Sequence, residues 1–281
     1  MLYLSETQKI QKVGLSILKD VDEFCRKHGL RYYIYCGTLL GCIRHNGFIP
    51  WDDDVDIAMP LKDYIVFRKT AREELEERYI VSDIHSDCLA ANNWIKVYRR
   101  GTAYYEIKTE DGEYHKEIGI DVYPLIGAYE GMLGNIQAKA IVFQKTFTGR
   151  NYRIAKKYSY VNHQINLWRS IDRLPRFLVY VMNDIIEFLF WKDPEGFKHC
   201  GTIDAARFMG KFETKDWEES IDGNFEGHLF LMPGKYDKIL KIIYGDYMKL
   251  PPVEKRVTTH FVGETAITIS EEIAEEIGIK Q

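Results

Sequence analysis

The chain has 281 residues, of which 46% are hydrophobic and 14% aromatic, and its net charge is −4, from 38 Lys and Arg against 42 Asp and Glu. So many apolar side chains can build a packed core, which excludes an intrinsically disordered protein. The slight acidic excess argues against a general nucleic-acid binder, because such a protein needs surplus cations.

Cysteine usage and the terminal sequence bear on the compartment. The five cysteines are odd in number, scattered and never in a C-x-x-C pair: Cys25, Cys36, Cys42, Cys88 and Cys200. That pattern is typical of a reducing compartment. The N-terminus lacks an apolar signal core, and the most apolar stretch, Phe177–Trp191, is too short to span a bilayer. The sequence predicts a cytoplasmic protein without a transmembrane segment, and peripheral contact with the inner face of a membrane stays open.

The first part of the chain alternates helix and strand patterns. Ser5 and Gln8 have capping-box spacing, and the apolar periodicity that follows ends at Gly29, which predicts a helix over Glu6–His28. The next predicted elements are strand Arg31–Tyr35, helix Thr38–His45, strand Val55–Met59, helix Leu61–Arg78, and strands Tyr79–Asp83, Trp94–Arg99, Thr102–Ile107 and Ile118–Tyr123. A hairpin turn is expected at Asp111-Gly112.

The balance of elements predicts an α+β fold. Strands outnumber the crossover helices that a parallel sheet needs, so a mixed sheet with packed helices is expected. The apolar spacing becomes helical near Gly127, and short elements return after about Lys211. We therefore divide the chain into a catalytic core (1–126), a helical insertion or subdomain (127–211), and a C-terminal segment that completes the catalytic domain (212–281).

The run Pro50–Ile57 contains four carboxylates within five residues, directly before apolar residues. On a strand, Asp52, Asp54 and Asp56 would share one face and Asp53 would point away. Carboxylates so arranged can converge on Mg²⁺, or on Mn²⁺. The alternative is a solvated acidic turn. An EF-hand is disfavoured, because its obligatory glycine position is Ile57.

Two further features favour a catalytic site. The stretch Tyr35–Thr38 ends a strand in Gly37 and a small hydroxyl residue before a helix, a turn that lets the backbone approach a phosphate. Asp121 lies inside an apolar strand, where an unpaired carboxylate would be costly. We expect Asp121 to face a cation, a hydrogen-bond network or a cleft.

This order of strand, Gly-Thr turn, D-x-D strand and strand Asp resembles the nucleotidyltransferase superfamily. The string GTLLGCIRHNGFIPWDDDVDI, Gly37–Ile57, closely resembles the LicD family, which includes the fukutin-related proteins. The resemblance continues in WIKV at 94–97, in IDVYP at 120–124, and in YGDYM at 244–248 with LPP at 250–252 and His260.

The resemblance implies a nucleotidyltransferase-like fold and a phosphotransferase. LicD-like proteins move a phospho-alcohol, typically phosphocholine from CDP-choline, onto a hydroxyl of a cell-surface glycan or its lipid-linked precursor, and relatives use CDP-ribitol. The implied cofactor is Mg²⁺, with Mn²⁺ as a substitute, held by Asp52, Asp54, Asp56 and Asp121. Asp54, Asp56 and Asp121 are the expected catalytic residues, with Asp121 acting as metal ligand or as general base.

The donor should contact two further groups of residues. Gly37, Thr38, Arg44, His45 and Lys96 are candidates for the phosphates, although each cation could be an ordinary surface residue. A quaternary ammonium is usually held by aromatic faces with carboxylates nearby. The candidates for that role belong to the matching C-terminal segment, and His260 joins the same predicted binding set: Tyr236, Asp237, Tyr244, Asp246 and Tyr247. Tyr236 and Tyr244 could instead pack their helix against the sheet.

Two other functions remain possible on the sequence. A sugar-nucleotide glycosyltransferase also uses D-x-D, but usually after a longer nucleotide-binding half. A non-catalytic nucleotide- or metal-binding module could share the fold. We interpret Asp83, His85 and Cys88, and also His199-Cys200, as structural, because no second ligand pair and no nucleophile partner accompany them.

Overall fold

The computed structural model describes residues 4–86, 93–109, 112–148, 175–203, 209–257 and 267–279. The helices in these ranges are α1 (Glu6–His28), α2 (Cys36–His45), α3 (Leu61–Glu74), α4 (Gly131–Thr148), α5 (Arg176–Phe190), α6 (Tyr236–Tyr244) and α7 (Glu271–Glu276). The strands are β1 (Tyr33–Ile34), β2 (Asp56–Pro60), β3 (Tyr79–Ser82), β4 (Ile95–Arg99), β5 (Thr102–Thr109), β6 (Gly112–Lys116), β7 (Gly119–Ala128), β8 (His199–Thr202), β9 (Phe212–Glu213), β10 (Ser220–Phe225), β11 (His228–Pro233) and β12 (Thr268–Ile269).

The central sheet is mixed, which confirms the predicted α+β class. Its strand order is β1-β2-β7-β4-β3, and β8 joins β7 and is followed by β9. The β2–β7 pair is parallel, whereas β1–β2, β3–β4, β4–β7 and β7–β8 are antiparallel. Strand β7 is therefore the axis of the sheet, because every other long pairing reaches it directly or through one neighbour.

Two smaller sheets flank the central one. Strands β5 and β6 pair antiparallel with Thr109 opposite Gly112, which confirms the predicted hairpin, while Asp111 itself lies outside the described residues. Strand β12 adds to β5. The hairpin β10–β11 packs its tip against the turn after α2, where the Phe48 amide donates to Glu226 Oε1 over 3.0 Å.

Helix α1 follows the sequence prediction at both ends. The Ser5 hydroxyl accepts a hydrogen bond from the backbone amide of Gln8, and the Gln8 side-chain oxygen accepts one from the backbone amide of Ser5. Gly29 ends the helix with a φ of 64°. The apolar stripe of α1 is buried, and Phe24 meets Phe67 of α3 edge-on, with ring centroids 5.5 Å apart. These two helices thus pack together beside the sheet.

Several boundaries differ from the sequence prediction. Helix α2 begins at Cys36, two residues early, and α3 ends at Glu74 because the chain turns there to enter β3. Helices α4 and α5 lie in the predicted helical segment and pack on each other, with Gln144 Nε2 donating to Asn183 Oδ1 over 2.8 Å. Strand β8, also inside 127–211, belongs to the central sheet, and the three-part division stays a prediction.

Candidate active site

Two carboxylates are brought together by the register of the central sheet. Asp56 begins β2 and Asp121 lies near the start of β7, and the two are direct partners in the parallel ladder. Partners in a ladder lie about 4.8 Å apart and project to the same face. Both side chains are buried, with 7% and 9% of their residue surface exposed. The pair therefore concentrates negative charge at one point of a largely buried face.

Strand β4 supplies the groups that balance Asp121. Lys96 stands opposite Asp121 in the antiparallel ladder, and its Nζ lies 3.1 Å from Asp121 Oδ1. Trp94 Nε1 donates to the same oxygen over 2.7 Å. The expectation that Asp121 faces a cation or a hydrogen-bond network is confirmed. Lys96, predicted to meet donor phosphates, holds this carboxylate, and its contact with a donor stays a prediction.

The acidic loop, residues 52–55, departs from the predicted strand. Strand β2 begins only at Asp56, so alternation along a strand does not position Asp52 and Asp54. Both nevertheless approach Gly37 in the first turn of α2: a Cβ on Gly37 would lie 2.5 Å from Asp52 Oδ2 and 3.8 Å from Asp54 Oδ1. The open N–H groups of a first helical turn favour nearby carboxylates. Gly37 therefore makes room for an acidic side chain.

The backbone on both sides of the acidic loop is fixed by hydrogen bonds. Thr38 is buried, and its hydroxyl accepts from the Asp56 amide over 2.9 Å. The Tyr35 amide donates to the Asp56 carbonyl over 2.9 Å. Thr38 thus positions a carboxylate, while its predicted contact with nucleotide stays a prediction.

Gln11 of α1 is a site residue that sequence reasoning missed. Its Nε2 donates to the carbonyl of Asp52 over 2.7 Å and to that of Ile49 over 3.2 Å. Gln11 lies one helical turn before Gly14, where an added Cβ would lie only 3.1 Å from Val55 Cγ2. The local sequence, QKIQKVG at 8–14, does not set Gln11 apart from the other polar residues and does not indicate a partner 41 residues away.

A cleft of about 370 Å³ lies beside the acidic loop, and residues from both the N-terminal and the C-terminal parts of the chain line it. Gly37, Arg44 and Asp52 line it from the N-terminal part. The C-terminal part contributes three predicted binding residues: Tyr244, Asp246 and Tyr247. The structure thus brings together residues that are about 200 positions apart in the sequence.

Tyr244 and Arg44, which both line this cleft, have pKa values shifted in opposite directions. Burial raises the pKa of Tyr244 far above its ordinary value, and neighbouring Cys36 and Asp56 add to the rise. Arg44 Nη1 donates to the Tyr247 carbonyl over 2.8 Å. Burial, followed by the charge of Arg256, lowers the pKa of Arg44.

Three other predicted binding residues do not line the cleft: His45, Tyr236 and Asp237. His45 accepts from Arg44 Nε at 2.9 Å, and burial together with Arg44 lowers its pKa. Tyr236 packs against the core. Asp237 accepts from the Tyr247 hydroxyl over 2.9 Å and so holds that ring in the cleft wall. His260 lies outside the described residues.

Four further residues at the cleft were not predicted. Trp51, Lys249 and Lys255 line it, and the Arg256 guanidinium lies over the Trp51 ring, 5.7 Å from its centroid. The available signal was the spacing of three cations around the proline pair in KLPPVEKR, 249–256. That signal alone does not separate a binding loop from a charged surface turn.

The carboxylates offer suitable donors for a divalent cation. Within the described ranges, no three His, Cys, Asp or Glu side chains already form a compact metal site. Asp56 and Asp121 are held in register, and Asp52 and Asp54 come from the adjacent loop. All four offer only carboxylate oxygen, which suits Mg²⁺ or Mn²⁺. The donor chemistry fits such an ion.

Asp83 and His199 have structural partners. Asp83 pairs with Arg72 over 2.5 Å and accepts the amides of His85 and Ser86. His199 lies 3.2 Å from Glu130, and Cys200 is buried. The structural interpretation of Asp83 is supported by these bonds, and Cys88 lies outside the described residues.

Known proteins similar to this chain share its acidic loop region. Residues 29–137 match the model of the LicD/FKTN/FKRP nucleotidyltransferase domain, a range that contains the acidic loop, Asp56, Lys96 and Asp121. A lipopolysaccharide cholinephosphotransferase, LicD of Haemophilus influenzae, is 28% identical over 259 residues, covering 89% of this chain and 94% of the relative. The part of the chain that holds the acidic loop and Asp121 is therefore similar to the LicD/FKTN/FKRP nucleotidyltransferase domain.

Other relatives match shorter stretches of the chain. The uncharacterized protein RT0683 of Rickettsia typhi is 45% identical over 62 residues, which cover 21% of this chain and 20% of that protein. The ribitol 5-phosphate transferase FKRP of Mus musculus is 51% identical over 35 residues, which cover 12% of this chain and 7% of FKRP. The similarity to FKRP is therefore confined to a short segment.

No helix in the described parts of the chain is both long enough and apolar enough to cross a bilayer.

Proposed function

We propose that the chain transfers a phospho-alcohol from a CDP-alcohol to a glycan hydroxyl. The preferred donor is CDP-choline, the acceptor is a cell-surface glycan or its lipid-linked precursor, and the product nucleotide is CMP. The observation that carries the proposal is the in-register Asp56–Asp121 pair beside the Asp52 and Asp54 loop. The names of the two transferase relatives, one acting with cholinephosphate and one with ribitol 5-phosphate, support it.

The proposed reaction forms one P–O bond and breaks another. The acceptor hydroxyl oxygen attacks the phosphorus that bears the alcohol, a new P–O bond forms, and the bridging P–O bond breaks. CMP leaves with the electron pair of that bond, and the hydroxyl proton passes to a base. The transition state spreads charge over phosphoryl oxygens, so positioning and cationic groups supply most of the catalysis.

The residues divide these tasks as follows. Asp52, Asp54, Asp56 and Asp121 would hold Mg²⁺, or Mn²⁺, which when bound neutralises phosphoryl charge. Asp121 lies between Lys96 and Trp94, so its carboxylate is held still and can orient the acceptor or take its proton. The Lys96 ammonium, which lies beside Asp121, can turn toward a phosphoryl oxygen of the donor.

We also propose that the reaction takes place in the cytoplasm, at the inner face of the membrane where a lipid-linked acceptor is presented. The cysteines Cys25, Cys42 and Cys200 are free thiols, as expected in a reducing compartment. Fractionation of native cells should find the protein in the cytoplasmic and membrane-associated fractions and not outside the cell.

The deciding experiment measures CMP release by the purified protein with Mg²⁺. CDP-choline, CDP-ribitol, CDP-glycerol and UDP-sugars are each supplied with and without extracted glycan acceptors and membranes. Acceptor-stimulated CMP release from one CDP-alcohol is the expected result. Release of UDP from a UDP-sugar would instead identify a glycosyltransferase. Binding of CDP-choline without CMP release, even with membranes, would identify a non-catalytic module.

A further inference from the structure

The cleft beside the acidic loop has an uneven charge distribution. Arg44 from α2 and Lys249 and Lys255 from the loop after α6 line it, and Arg256 lies next to it over Trp51. Its acidic lining residues are Asp52, on the side of the acidic loop, and Asp246. We call this space the cationic cleft.

The two guanidinium groups of the cationic cleft are held by neutral partners. Arg44 donates to the Tyr247 carbonyl and to His45, and Arg256 Nε donates to the Pro251 carbonyl over 2.8 Å. Among the described residues, no carboxylate forms an ion pair with Arg44, Lys249, Lys255 or Arg256. Two guanidinium groups and two ammonium groups thus surround one space without paired carboxylates.

A group of cations that outnumbers the carboxylates around it favours an anion. The pKa of Arg44 is lowered by burial and by Arg256, as expected where positive charges crowd each other. A quaternary ammonium would add to this repulsion, whereas a phosphate would relieve it and form charge-assisted hydrogen bonds. The cleft volume of about 370 Å³ suits a small ligand, and the Trp51 ring adds an aromatic surface of the kind on which bases stack.

We propose that the cationic cleft binds the nucleotide half of the donor, with the phosphates of CMP against Arg44, Lys249 and Lys255. This inference rests on the proposed function. The alcohol half then lies across the acidic loop, toward Asp121 and Trp94. The Asp52 side of the cleft is where the two halves meet, because Asp52 lines the cleft and approaches Gly37 together with Asp54. Tyr244 and Tyr247 accordingly serve the nucleotide and not the choline group.

The test measures binding of CMP and of phosphocholine separately by calorimetry. The variant is Lys249→Glu with Lys255→Glu, and the control is Lys235→Glu, an exposed lysine that does not line the cleft. We expect the double variant to weaken CMP binding at least tenfold, with phosphocholine binding unchanged and CMP affinity of the wild type falling as salt rises. The control variant should bind CMP like the wild type.

The result that overturns the inference is CMP binding that is equal in the wild type and the double variant, or a wild type that binds no CMP. If the double variant is poorly folded by circular dichroism, Lys249→Ala with Lys255→Ala replaces it, with a threefold or greater loss expected. CMP binding is read without turnover. A wild type that turns over no CDP-alcohol but loses CMP binding in the variant would refute the proposed function and keep the cleft assignment. Turnover of a CDP-alcohol by the wild type, with an unchanged KM in the double variant, would keep the proposed function and refute the cleft assignment.

Discussion

Asp121 shows how one carboxylate obtains its surroundings from two neighbouring strands. The parallel ladder with β2 places Asp56 on one side, and the antiparallel ladder with β4 places Lys96 on the other. Neither neighbour is close in sequence, and both are fixed by backbone pairing. The neighbours of the carboxylate are therefore set by sheet register, because a shift of one residue would turn these side chains to the opposite face.

Asp54→Asn should remove activity and leave the fold intact. The change deletes one carboxylate of the acidic loop while keeping the shape of the side chain. Changes outside the ligand shell already cost 10- to 100-fold in metal sites, so a loss of more than about 100-fold in kcat/KM is expected. CMP release under saturating Mg²⁺ measures it. Asp53→Asn is the matched control and should stay within about threefold. Equal losses at both positions would contradict the assignment.

Asp83 is a structural carboxylate with a pH signature. Burial alone would raise its pKa, but Arg72 and the amides of Ser86 and His85 outweigh burial and hold the pKa below its ordinary value of 3.8. A depressed folded pKa means that its stabilisation is present above about pH 4 and is lost as pH falls through the folded pKa.

Asp83→Asn should therefore destabilise the protein by about 1–3 kcal/mol at pH 7, a buried pair discounted for the one-third exposure of Arg72. Urea unfolding at pH 7, 5 and 3 provides the measurement. The difference between variant and wild type should persist at pH 5 and shrink at pH 3, where the wild-type carboxyl becomes protonated. A difference independent of pH would show that the lost charge is not the cause.

At the level of elements, α1 and α2 together shape the acidic loop. The Asp52 side chain packs against Gly37 of α2, and the Thr38 hydroxyl of α2 accepts from the Asp56 amide. Gln11 of α1 donates to the Asp52 carbonyl and so holds the loop backbone. Strand β2 begins only at Asp56, and the last residue of the loop is bonded to β7, because the Asp121 amide donates to the Val55 carbonyl over 2.9 Å. The rest of the loop is held by side chains of two helices.

Gln11→Leu should weaken the acidic loop more than the fold. Two hydrogen bonds to carbonyls are lost, which together cost about 1–2 kcal/mol of unfolding free energy. The Mg²⁺ concentration needed for half-maximal CMP release should rise several-fold, which a purely structural role would not cause. Ser16→Ala on the same helix is the control, since its hydroxyl bonds only to Val13 within α1. An unchanged Mg²⁺ dependence in Gln11→Leu would argue against a positioning role.

At the level of the whole molecule, the C-terminal part shares its core with the N-terminal part. The ring of Trp217 packs edge-on against Tyr33 and Phe212, with centroids 5.5 Å away in both cases. The Tyr33 hydroxyl donates to the Trp217 carbonyl. The first strand and the segment after residue 212 should therefore unfold together.

Trp217→Ala should lower the unfolding free energy by about 3–5 kcal/mol, the usual cost of removing a buried aromatic ring. Calorimetry of the wild type should show one cooperative transition for these parts, and the variant should shift it as a whole. Phe188→Ala is the control: this ring is 76% exposed, so a change within about 0.5 kcal/mol is expected. A separate transition for the C-terminal part would contradict a shared core.

Local patterns were sufficient for much of the fold. The capping box at Ser5, the left-handed Gly29 and the hairpin between β5 and β6 are contained within a few residues each, and the structure has all three. The end of α3 was predicted four residues late, since periodicity continues past Glu74 while the chain has to turn into β3. Boundaries of this kind depend on the next element and not on the helix itself.

The candidate site divides in the same way. The sequence by itself determined which side chains carry charge, where the acidic run lies, and, through the string Gly37–Ile57, the resemblance to the LicD family. Only the tertiary structure decided that Lys96 and Trp94 meet Asp121, that Gln11 holds the acidic loop, and that Lys249 and Lys255 border the cleft. The physical reason is that these contacts join residues from 25 to more than 200 positions apart, and strand register and helix packing set their distances.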